Sequence, residues 1–110
     1  MNKQEKRNYI GQHIDISHAR LTDNEADTLC DLIKNYDSYK GKSKTETRTS
    51  PGICSEGKFT RTDTLKFSFD EDSVAIRCDY SYVDDDGESG SSTNTISDAR
   101  GILSNLKHLK

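Results

Sequence analysis

A chain of 110 residues with a formal net charge of −3, 32 per cent charged and 30 per cent hydrophobic residues, has room for one domain with a thin core, since domains usually run to about 100–150 residues. No stretch approaches the ~18 apolar residues of a membrane-spanning helix, and the cations in MNKQEKRNYIGQHIDI are not followed by the apolar run of a secretory leader. Three widely spaced cysteines, Cys30, Cys54 and Cys78, exclude a fully paired disulfide framework; reduced thiols in a cytoplasmic protein are the simplest reading, with one disulfide and one free thiol in an oxidising compartment as the alternative.

Residues 1–20 admit two readings. Tyr9, Ile10, His13 and Ile14 fit one face of a helix, whereas Ile14 and Ile16 around Asp15 fit a short strand. The first clear element opens at Thr22, which with Glu25 has the spacing of a capping box. Ala26, Leu29, Cys30, Ile33 and Tyr36 then recur every three or four residues, which predicts an amphipathic helix ending near Tyr36 to Tyr39. Thr45, Thr47 and Thr49 predict a polar edge strand that Pro51 ends.

The period then changes to two. Leu65, Phe67 and Phe69 alternate with polar residues, and after the turn Asp70–Ser73 the alternation resumes through Val74, Ile76, Cys78, Tyr80 and Tyr82, which predicts an antiparallel hairpin. The same odd-numbered phase runs back through Asp63 and Arg61 to Phe59, so the first strand is either long or bulged. Residues 84–93 are rich in Asp, Ser and Gly and predict a flexible acidic loop. Ile96, Ala99, Ile102, Leu103, Leu106 and Leu109 predict a closing helix with Thr95 and Asp98 as its capping pair; Gly101 weakens it by about 1 kcal/mol relative to alanine and points to close packing on the sheet. The expected fold is α+β: a single domain over 1–110 with an antiparallel sheet of three to four strands and helices on one face.

No catalytic or metal motif stands out. Aligning Asp84-Asp85-Asp86-Gly87-Glu88 to a calcium loop with Gly87 at the sixth position puts Tyr82 at the first and Thr93 at the twelfth, and neither supplies a carboxylate. His13, His18 and His108 lack metal-ligand spacing, and no Cys-x-x-Cys pair exists; a small acid–base cluster of His13, Asp15 and His18 is the remaining enzymatic reading. No catalytic residue, metal or cofactor is therefore assigned.

Charge is the most uneven property. From Asp63 to Glu88 nine carboxylates face two cations, a local net of −7, while Lys34 to Arg61 carries +4. The basic strip lies near Tyr36 and Tyr39, but the acidic stretch would repel the same phosphates, so direct nucleic-acid binding is not expected. Asp79, Asp84, Asp85, Asp86 and Glu88, interleaved with Tyr80 and Tyr82, combine steering charge with aromatic anchors and form the candidate surface for a basic protein partner. In size and charge alone the chain resembles small acidic bacterial immunity or inhibitor proteins that neutralise nuclease toxins; no residue motif carries that resemblance and it assigns no site. The sequence-level expectation is a non-enzymatic inhibitor of a basic toxin or nucleic-acid-handling enzyme, a monomer or weak homodimer. The alternative is a small self-associating adaptor of a bacterial or phage system that uses the Thr45–Thr49 edge.

Overall fold

The period-two pattern becomes a four-stranded antiparallel meander in the computed structural model, which describes residues 2–17, 19–54 and 57–109. The strands are β1 Ser43–Cys54, β2 Gly57–Phe69, β3 Ile76–Asp84 and β4 Ser89–Ile96, ordered β1-β2-β3-β4. Helices α1 Lys3–Gly11, α2 Asp23–Lys34, the short α3 Tyr36–Tyr39 and α4 Ala99–Asn105, with a 3-10 turn at Leu106–His108, supply the second layer. The α+β class read from the sequence is the observed one.

Local rules explain most boundaries. Thr22 accepts from the Glu25 backbone N–H at 3.2 Å and the Glu25 carboxylate accepts from the Thr22 N–H at 2.9 Å, the reciprocal bonds of a capping box. The closing helix starts later than the sequence suggests. Asp98 itself is the N-cap, accepting from Gly101 N–H at 2.9 Å, while Thr95 and Ile96 belong to β4. A Cβ on Gly101 would lie 2.5 Å from Ile96 Cγ2, so the glycine marks the close approach of helix to strand. In the N-terminal segment both readings hold in part: α1 ends at Gly11, and Asp15 then forms a parallel bridge to Asp98.

Three strand expectations change. β2 is long, and its pairing with β1 runs unbroken from Ser43↔Ser68 to Cys54↔Gly57. Pro51 does not end β1. Phe69 N–H donates to Lys42 C=O at 3.0 Å, so in the antiparallel alternation even-numbered β1 residues face β2 and odd-numbered ones face the open edge. Proline at 51 therefore loses no ladder bond. Residues 89–93 are strand, not loop: β4 pairs Ser89↔Val83 through Ile96↔Ile76, and the connection shrinks to a turn at 85–88 closed by Gly87, whose φ is +97°.

Helices cover only one end of the sheet. Phe67, Phe69 and Ile76 pack against Ile10, Leu29, Ile33, Ala99 and Ile102, and each fully buried aliphatic side chain contributes about 1.5–3 kcal/mol. Tyr36 pins the β2–β3 turn: its hydroxyl donates to the Asp70 carbonyl at 2.8 Å, lies 3.0 Å from the Ala75 carbonyl and accepts from the Ala75 N–H at 3.3 Å, and burial pushes its pKa up. Because that turn includes Val74 and Ala75, β3 opens at Ile76, not Val74. Past the core the β1–β2 hairpin projects as a two-stranded arm, since β3 pairs with β2 only from Arg61 onward. The molecule measures 61 × 26 × 19 Å with a radius of gyration of 17.8 Å, against about 13 Å for a compact chain of this size.

Candidate functional site

Alternation places odd residues of β2 and even residues of β1, β3 and β4 on the helix-bearing side of the sheet. At the margin of the helical layer that side carries Glu46 and Leu65, and beyond it Arg48, Arg61, Asp63, Tyr80 and Tyr82. Their cross-strand rows follow the register: Glu46, Leu65, Tyr80 and Ser92, then Arg48, Asp63, Tyr82 and Gly90.

The two tyrosines are fixed by their neighbours. Arg61 lies with its guanidinium carbon 4.1 Å from the Tyr82 ring centroid, a cation–π contact. Its Nη2 donates to the Tyr80 hydroxyl at 2.6 Å and its Nε to Asp63 Oδ1 at 3.1 Å, while Tyr80 in turn donates to Asp63 Oδ1. The Tyr80 bond, reinforced by Arg61, holds the Asp63 carboxyl below its ordinary range, and the same bond to Asp63 pushes the Tyr80 hydroxyl up. The Tyr82 ring spreads over Gly90, where an added Cβ would meet its Cε1 at 2.5 Å. Glycine thus makes room for an aromatic that a side chain would expel. At the inner border His108 stacks on Phe67 with ring centroids 4.3 Å apart and its Nδ1 lies 3.0 Å from Glu46 Oε1.

The acidic stretch does not form one face. Glu71 and Asp72 are exposed in the β2–β3 turn, whereas Asp85, Asp86 and Glu88 are exposed in the β3–β4 turn. The nine residues of β3 separate them, about 30 Å at ~3.3 Å per residue. Asp70 accepts from Asp72 and Ser73 N–H inside its own turn. Asp79 lies on the opposite side from Tyr80 and Tyr82, where the Thr93 hydroxyl and Arg77 hold its pKa down. Asp84 is 8 per cent exposed and its Oδ1 has no hydrogen-bond partner. Of the seven candidate residues the structure keeps Tyr80 and Tyr82 on one face of the strand that leads into the exposed turn Asp85, Asp86 and Glu88, turns Asp84 inward, and places Asp79 on the other face.

Among the described residues no helix packs on that other face, which is rich in hydroxyls, with rows such as Thr47, Thr64, Ser81, Ser91. Among the described residues no group of three or more His, Cys, Asp or Glu gathers as metal ligands. His13 stacks edge-on against Tyr9, Asp15 Oδ1 accepts from the Ser17 N–H and hydroxyl, and His18, like the Cys54 side chain, lies outside the described residues.

Arg61, Asp63, Glu46 and His108 are the site residues that sequence reasoning missed. The odd-numbered phase already put Arg61 and Asp63 on the face of Phe67; their union with Tyr80 and Tyr82 follows from a register set by a turn two residues longer than expected. No protein-family model matches this chain, and no curated protein or solved structure matches it significantly.

Proposed function

We propose that this chain is a non-enzymatic immunity or inhibitor protein that binds a basic, nuclease-like protein through the Tyr80–Tyr82 face and the adjoining acidic turn. The observation that carries the reading is the pair of tyrosines with preset rings, 6.2 Å apart, on the β-strand that leads into Asp85, Asp86 and Glu88. Aromatic side chains held in one conformation lose little entropy on binding and anchor interfaces, while exposed carboxylates beside them speed the approach of a cationic surface. Arg61 and Asp63 act as positioning residues, and Asp84 shapes the turn through backbone bonds, its N–H donating to Glu88 C=O at 2.8 Å.

The test is affinity capture from the native host and its competitors, followed by titration of the captured protein against variants. Reversing Asp85, Asp86 and Glu88 to lysine is expected to slow association and flatten its salt dependence. Tyr82→Ala is expected to speed dissociation and weaken Kd by about tenfold or more, the scale of an interface hot spot. Affinity unchanged by both would overturn the assignment of this face.

A further inference from the structure

The open edge of β1 carries a self-complementary charge pattern. Its outward backbone groups belong to Ser43, Thr45, Thr47 and Thr49, and Pro51 closes the run because it has no N–H to offer. On the helix-bearing side the same strand presents Lys44, Glu46 and Arg48 in sequence, with Glu46 and Arg48 already 3.7 Å apart within the chain.

Two copies related by a two-fold axis must match outward residues with outward residues, which leaves few registers. An axis at Glu46 or Arg48 puts like charges directly opposite. One at Thr45 sets Lys44 against the partner's Glu46 but offsets this by facing Arg48 with the partner's Lys42, and one at Thr49 makes no charged pair. An axis at Thr47 sets Glu46 against the partner's Arg48 twice over and has no like-charge pair, the arrangement that cross-strand energetics favours. The other edge, β4, carries no charged residue to select a register, and Asp15 N–H donates to Ser97 C=O just beyond its end at 3.2 Å.

The same register matches shape. Lys42 to Lys44 border a cavity of about 610 Å³ between β1 and the helices, with Leu32, Tyr39, Phe69 and Leu106 on its apolar wall. With the axis at Thr47 this end of β1 meets the partner's Ser50, Pro51 and Gly52. The Phe59 ring lies directly over Gly52, where an added Cβ would meet its Cζ at 2.2 Å, so each arm brings an aromatic ring beside the other copy's cavity. We propose that this chain forms a two-fold dimer by β1–β1 pairing centred on Thr47, building an eight-stranded sheet in which each hairpin arm lies along the partner's helical layer.

Sedimentation equilibrium of the full chain should show a mass that doubles with concentration. Glu46→Arg alone and Arg48→Glu alone each create like-charge pairs in this register and should raise the dimer Kd by about tenfold or more. The double swap restores both pairs and should bring Kd back to within about threefold of the original. It also keeps the loss of the Glu46–His108 contact that Glu46→Arg causes, so recovery is specific to the interface. Thr47→Cys should oxidise to a chain-to-chain disulfide identified by its 47–47 peptide, since paired Cα atoms about 5.5 Å apart can be bridged, whereas Thr45→Cys, which faces the partner's Thr49, should not link to itself. A chain that stays monomeric at all concentrations, or a dimer indifferent to the charge variants, overturns the proposal.

Discussion

Arg61 shows how a residue's role depends on what stands across the strand. Read along the chain it ends a basic strip; in the sheet it joins Asp63, Tyr80 and Tyr82, so part of the acidic stretch is already neutralised. Glu25 is held in the same way by Arg100 and by the Thr22 N–H, which lower its pKa. Glu25, Asp63 and Asp79 are all depressed. Each therefore contributes stability that is fully present above the unfolded carboxylate value of about 4 and is lost as pH falls through the lower folded value. Thermal unfolding followed from pH 6 to pH 2 should show the Tm falling mainly below about pH 4. Tyr80→Phe removes the largest cause of the Asp63 shift, so an NMR titration of that carboxyl should move up toward its ordinary value; an unmoved midpoint would mean that Arg61 alone sets it.

The elements show how local preference and packing compete. Gly101→Ala should gain about 1 kcal/mol of helix propensity. The new Cβ, however, would sit 2.5 Å from Ile96 Cγ2 and 2.6 Å from Asp98 Oδ1, disturbing both the packing and the helix cap. Overpacking of this kind costs about 1–3 kcal/mol, so the variant should be less stable, measured as a lower denaturant midpoint with unchanged slope. A stabilised variant would show that α4 slides freely on β4. The β2–β3 turn teaches a second lesson. Taking Asp70–Ser73 as the whole turn would pair Phe69 with Val74, whereas the observed partner is Ile76. A shift of two keeps every side chain on its face, so the buried residues stay as the pattern implies while each cross-strand partner changes.

At the scale of the whole molecule, the core sits at one end and the arm at the other. The arm is two strands whose described large apolar residues are Phe59, half-buried, and Ile53, 80 per cent exposed, so little apolar burial opposes its opening. Hydrogen exchange at monomeric concentrations should protect Phe67, Ile76 and Ile102 most and let the amides of 57–60 exchange about a hundredfold faster or more. Uniform protection would mean that the arm and the core open together.

The α+β class, the helix at Thr22, the β2–β3 hairpin and the faces of its residues are legible along the chain alone, because hydrophobic period and capping chemistry act over a few residues and need no distant partner. Tertiary structure decided the rest. β4 has Ile96 as its one large apolar residue and owes its strand to the ladder with β3; Pro51 is admitted because its nitrogen faces the open edge. The division of the acidic stretch into two turns, one buried aspartate and two ion-paired ones follows from register and strand length, which depend on contacts between residues far apart in the chain.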